Sequence, residues 1–179
     1  AKDETVGNPM LVRLLDAAPA ADRPGLIRSM VSVRKPTDAR SFLTAVAGAI
    51  RAPADAALVE TFETLFKTAP ARRAQADRAY TDTQQGGWCS NPHQPEIGRR
   101  IGEILLAESP NQLPVLVAVA VARKNAGLHD EAQLLVREAV DLLLGQTNPE
   151  YQQTRMWDEL AATLRPQDCG AVVKDLTER

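Results

Sequence analysis

Proline placement constrains this chain more than any other feature. Asn8-Pro9, Arg23-Pro24, Pro36-Thr37, Ala52-Pro53, Gln94-Pro95 and Asn148-Pro149 each lie just before a stretch of apolar residues repeating every three to four positions. A proline in the first turn of a helix loses no hydrogen bond, because the N–H groups there have no intrahelical acceptor, and Asn, Asp or Thr beside it can cap the turn. The prolines therefore punctuate a helical chain. Reading between them predicts about ten short helices, at 9–17, 23–33, 38–51, 54–68, 71–83, 96–108, 112–126, 130–144, 149–164 and 167–177. Abundant alanine, rare β-branched runs and only 4% aromatic residues agree with close-packed helices and argue against a sheet.

The expected fold is all-α, built of antiparallel helical hairpins, because the connections are mostly short. With 179 residues there is room for one full core. We expect a flexible stretch at 1–7 and a single domain at 8–179, with lobes 8–85 and 95–179 joined by the segment 84–95. The apolar faces are Phe42, Val46, Ala49 and Ile50; Leu58, Phe62, Leu65 and Phe66, with Glu63 and Lys67 paired opposite; and Ile97, Ile101, Ile104 and Leu105. The segments 113–122 and 130–144 are the expected centre of the core, and Leu134 and Leu142 are expected to touch further neighbours. The longest apolar run, 113–122, has 10 residues, half of a membrane span, so no spanning segment is expected.

Residues 116–145 resemble a tetratricopeptide helix hairpin. The resemblance rests on Gly127 at the turn, on Asp130-Glu131-Ala132 opening the second helix, and on Ala139 seven residues after Ala132. Arg123 stands where that family usually has an aromatic residue and Ala120 where it often has Gly, and no second copy follows at a spacing near 34 residues. What the resemblance implies is a helical scaffold that binds a protein or peptide and does no chemistry.

Motifs for catalysis are absent from the sequence. No G-x-S-x-G elbow and no phosphate-cradling glycine loop occurs, and Gly98 and Gly102, four apart within a helical period, point to a close helix crossing. His129 falls at a turn before a helix, where it is expected to be solvated. Cys89 and His93 form Cys-x-x-x-His, half of a metal site with no second local pair, so neither a metal nor a cofactor is expected. The overall charge of −2 and the lack of interleaved aromatics give no support to nucleic-acid binding.

One segment, 84–95, has no period and holds two glycines, two prolines and Trp88. Trp88 there has no regular element to bury it. Arg72 and Arg73 precede the segment and Arg99 and Arg100 follow it, so guanidinium groups can gather around Trp88 and His93 to meet an acidic partner. The alternative is a set of solvated arginines neutralised by Asp77, Asp82, Glu96 and Glu103. The expected function is protein–protein interaction, with Trp88 as an exposed anchor whose replacement by Ala weakens binding without unfolding the chain. Two other classes are an envelope inhibitor or immunity-type protein that blocks a partner enzyme, and an enzyme using Cys89 and His93. The start at Ala1, small and followed by Lys-Asp-Glu, fits a processed N-terminus and predicts a periplasmic or secreted protein, with the cytoplasm as the alternative. In an exported protein Cys89 and Cys169 can pair, closing a loop of about 80 residues.

Overall fold

The computed structural model describes residues 4–71, 87–145, 160–163 and 174, and among them every regular element is helical. The order is α1 (Glu4–Ala17), α2 (Arg23–Ser32), α3 (Ala39–Ala49), α4 (Ala56–Thr68), α5 (Pro95–Glu108), α6 (Leu113–Asn125) and α7 (His129–Leu144), with single 3-10 turns at Ala20–Asp22 and Pro36–Asp38. Seven α-helices thus stand among the described residues, which do not establish the expected count of about ten. The helix expected at 71–83 lies outside them apart from residue 71, and of those at 149–164 and 167–177 only 160–163 and 174 are described, both helical.

Among the described residues the proline punctuation holds with one displacement; Pro149 lies outside them. Pro24, Pro95 and Pro114 occupy the first turns of α2, α5 and α6. Pro9, expected to open the first helix, instead sits inside α1, which begins at Glu4 within the stretch expected to be flexible. At the start of α4 the capping group is Asp55, whose carboxylate accepts the Leu58 N–H at 2.8 Å, while Pro53 stays outside the helix.

Packing runs from α7 through α6 and α5 to α4 and α2, with α3 against α4 and α5, and α1 against α3. Helix α6 is the centre, as expected: Val115, Leu116, Val117, Ala118, Val119, Ala120, Val121 and Ala122 are all buried. A helix buried on every side needs apolar residues all round rather than a stripe. The turn into α7 is made by Gly127 at φ +80, with Gly127 N–H donating to Lys124 O and Leu128 N–H to Arg123 O at 3.0 and 2.9 Å. This pair of bonds satisfies the last carbonyls of α6 and requires a residue at ease with positive φ. Ala132 and Ala139 are fully buried on the face of α7, and Leu134 and Leu142, expected to find further neighbours, are exposed.

Arg40 pins three helices together. Its Nε donates to Phe66 O and Ala69 O, both at 3.0 Å, its two terminal nitrogens bind Glu108 at 2.6 and 2.7 Å, and its guanidinium lies 4.6 Å from the centre of the Phe66 ring. A cation at the carbonyl end of α4 is favoured by the helix dipole, and the forked pair to Glu108 compensates its burial.

Candidate functional site

Segment 87–94, expected to be an exposed binding loop, is a strap with its anchors turned inward. Trp88 is 1% exposed and Cys89, Asn91 and Gln94 are buried with it. Three glycines make the room. A Cβ on Gly48 of α3 would stand 3.0 Å from the backbone of Gly87 and Trp88, one on Gly98 of α5 would stand 2.6 Å from the Trp88 carbonyl oxygen, and one on Gly102 would meet Val119 of α6 at 3.3 Å and the Trp88 ring at 3.5 Å. Gly102 thus gives the expected close helix crossing, whereas Gly98 receives the strap.

Polar bonds hold the rest of the strap. Helix α3 stops because Asp16 Oδ1 takes the N–H groups of Arg51 and Ala52 at 3.0 and 2.9 Å, which deprives Ala47 of the donor that would continue the helix. Asn91 supplies the substitute: its Nδ2 donates to Ala47 O and Ile50 O, each at 2.8 Å. The other end of that amide accepts the His93 N–H at 3.0 Å, a local turn that sets the strap's curvature. Asn125, the last residue of α6, donates to Cys89 O at 3.0 Å, and Gln94 Nε2 donates to Ala52 O. The indole Nε1 of Trp88 has no acceptor among the described residues.

These contacts correct the sequence reading of the site. Trp88 belongs to the core and presents nothing to a partner in this conformation. Arg99 and Arg100 are committed to neighbours: Arg99 holds both oxygens of Glu96 at 2.9 and 2.6 Å, and Arg100 reaches Glu96 and Glu63, both at 3.1 Å. The hydrogen bonds from Arg99 hold the Glu96 carboxyl below its ordinary range and raise the Arg99 guanidinium in turn. Glu63, expected to pair with Lys67 along its own helix, pairs across to Arg100 instead. Arg72, Arg73 and Cys169 lie outside the described residues, and with them that part of the arginine cluster and the link expected between Cys89 and Cys169. Cys89 is buried while His93 is exposed, so the two do not share an environment. No group of three or more His, Cys, Asp or Glu side chains able to hold a metal occurs among the described residues, and no helix there is long and apolar enough to cross a membrane.

Of the expected site residues that are described, His93 is the most exposed, on the rim of a cleft of about 530 Å³ between the strap and the end of α3. Arg51 and Ser90 share its lining. A second hollow of about 540 Å³ adjoins it between α1 and α3, lined by Pro9, Val12, Arg13, Asp16 and Ala45, and Ala49 and Arg51 line both. Ala49, expected to face the core, is exposed on this floor. No ion pair among the described residues involves Arg13, Arg51 or His93. Asp16, the acid beside them, accepts the two backbone N–H groups that end α3 through Oδ1 and keeps its charge. The surface accordingly combines a shallow, partly apolar floor with two arginines against one aspartate and, among the described residues, no ion pair to either arginine, a combination suited to a carboxylate-bearing ligand. Arg13 and Arg51 went unnoticed in the sequence because neither carries a motif. Their signal is positional, one turn before Ala17 and one residue beyond Ile50, where two helix ends meet. Comparison with known protein families, with curated proteins and with solved structures finds no match for this chain.

Proposed function

We propose that the chain is a non-enzymatic interaction module that binds an acidic segment of another protein over the cleft at Arg51, Ser90 and His93. The observation that carries this reading is the presence of Arg51 and Arg13, exposed and outside every ion pair among the described residues, beside a rigidly braced hollow, while Arg40, Arg99, Arg100 and Arg123 are each tied to a glutamate. Exposed guanidinium groups beside a concave floor suit carboxylate recognition. The α6–α7 hairpin, with Gly127 in the left-handed region and Ala132 and Ala139 buried, supports a tetratricopeptide-like scaffold for such a role. Export with Cys89 linked to Cys169 belongs to the same proposal and rests on the cysteine pair alone.

The test is a titration of the isotope-labelled chain with two soluble peptides of equal length, one Glu/Ser/Gly and one Lys/Ser/Gly, followed by amide chemical shifts. The acidic peptide is expected to move the amides of Arg51, Ser90 and His93, with an effect that fades as salt rises through a Debye length of about 10 Å at 0.1 M. The change Arg51→Glu is expected to abolish it. Equal shifts with the basic peptide, or no shift at these amides, refute the proposal.

A further inference from the structure

Beyond the charged cleft, the adjoining hollow between α1 and α3 is too apolar to serve a carboxylate alone. Pro9, Val12, Ala45 and Ala49 contribute small or aliphatic surface, and Arg13 and Arg51 stand along its border. On α1 the residues Pro9, Val12, Arg13 and Asp16 are spaced by three, one and three, so they share one stripe of the helix; Ala45 and Ala49, four apart, are the facing stripe on α3. A short step round α1 from Arg13 come Met10, 77% exposed, and Leu14, 50% exposed, the first two of the few large apolar side chains that the described surface presents. Apolar side chains left in water beside a hollow of this size point to a docking surface.

We infer that the occupant is an amphipathic segment of the partner, which sets an aliphatic side chain between Ala45 and Val12 and, about one helical turn away, a carboxylate on Arg51. This inference deepens the acidic-partner reading and rests on it. Charge decides the class of occupant. The border offers two arginines that enter no ion pair among the described residues, against the one carboxylate of Asp16, whose Oδ1 is bonded to the Arg51 and Ala52 N–H groups, so its net charge is positive. A basic or purely apolar segment would leave both guanidinium groups desolvated against nothing, which is unfavourable. Ala45 and Ala49 give α3 a low profile, so a partner helix can approach until its side chain fills the hollow. The hollow and the cleft share Ala49 and Arg51, which fixes the order of the recognition elements: aliphatic residue first, acid beyond it.

The experiment compares two synthetic peptides of identical charge and length on the full chain. One carries Glu in a Ser/Gly background; the other adds a Leu one helical turn from a Glu. The Leu-bearing peptide is expected to bind at least ten-fold tighter, about 1.4 kcal/mol, and to move the amides of Val12, Ala45 and Ala49 as well as Arg51. The neutral variant Ala45→Gln, at an exposed helical position, fills the hollow with a polar amide without changing its charge, and is expected to erase the ten-fold gain while the Glu-only peptide still shifts the Arg51 amide. If both peptides bind equally, or if Ala45→Gln leaves the gain intact, the hollow is not the aliphatic subsite and only the acidic-segment reading survives. If neither peptide binds, both fall together.

Discussion

Replacing Trp88 by Ala separates a core residue from a surface anchor. The indole is 1% exposed, wedged between Gly102 and its neighbours on α5 and the strap it belongs to. A tryptophan buries about 150–250 Å², and at about 25 cal/mol per Å² its removal forfeits roughly 4–6 kcal/mol. One feature of the site reduces that. The Nε1 hydrogen has no acceptor among the described residues, and relieving a desolvated donor returns about 1–3 kcal/mol. The expected loss for Trp88→Ala is therefore about 1–5 kcal/mol, centred on about 3 kcal/mol, at the lower end of the range of about 3–5 kcal/mol typical of aromatic-to-alanine changes in cores. For a chain of this size each kcal/mol lowers the melting temperature by roughly 2–4 °C, so the central value corresponds to about 6–12 °C. Urea unfolding followed by far-UV circular dichroism measures it without relying on the deleted fluorophore. Trp88→Phe supplies the control: it keeps most of the apolar area and discards the unpartnered N–H, so it is expected to stay within about 1–2 kcal/mol of the parent. A midpoint for Trp88→Ala equal to that of the parent refutes the burial argument. A Phe variant as unstable as the Ala variant refutes the claim that the indole N–H is an uncompensated cost.

Two glycine substitutions should move stability in opposite directions. Gly98→Ala places a methyl 2.6 Å from the Trp88 carbonyl oxygen and is expected to cost about 1–3 kcal/mol as strap or helix gives way, whereas Gly25→Ala in α2 meets nothing within 4 Å and is expected to gain up to about 1 kcal/mol from helix propensity; thermal melts of the two variants decide it, and a stabilised Gly98→Ala would sink the account of the strap. The Glu96–Arg99 pair sets an acid dependence. Because the folded-state pKa of Glu96 lies below its ordinary 4.5, chiefly through the Arg99 hydrogen bonds, its contribution is present above pH 4.5 and drains away as the pH falls through the lower folded value. Glu96→Gln is therefore expected to be less stable than the parent near neutrality and to converge with it on acidification; a gap that widens toward low pH contradicts the pairing.

The regular elements were legible because periodicity reports directly on which face a helix buries. The helices at 23–33, 54–68 and 112–126 and the turn at Gly127 follow from that signal, and so does the central place of α6. Segment 84–95 was legible only as an interruption. An aperiodic stretch does not say which of its side chains turn inward, and Trp88 was assigned to solvent for want of a neighbouring stripe. The information lay elsewhere in the chain, in Gly48 and Gly98, whose missing side chains admit the strap, and in Asn91, whose amide replaces the donors that α3 lacks at its end. Long-range pairings such as Arg40 with Glu108 or Glu63 with Arg100 have no local spacing to announce them. Pro9 misled because the first-turn preference of proline points to a helix start there, whereas α1 begins at Glu4 and carries Pro9 inside it.

The strap bears on the thermodynamics of whatever docks beside it. An ordinary surface loop samples many backbone conformations, and a ligand that selects one of them loses roughly 1–2 kcal/mol of entropy for each residue it freezes. Here that freezing belongs to folding itself: Trp88, Asn91 and Gln94 are fastened below, so Ser90 and His93 stand on backbone already fixed when a partner arrives. Association at such a surface approaches rigid-body docking, in which most of the interaction energy survives as affinity. Its outward residues can also be exchanged one at a time, altering whom the surface prefers without altering whether the chain folds.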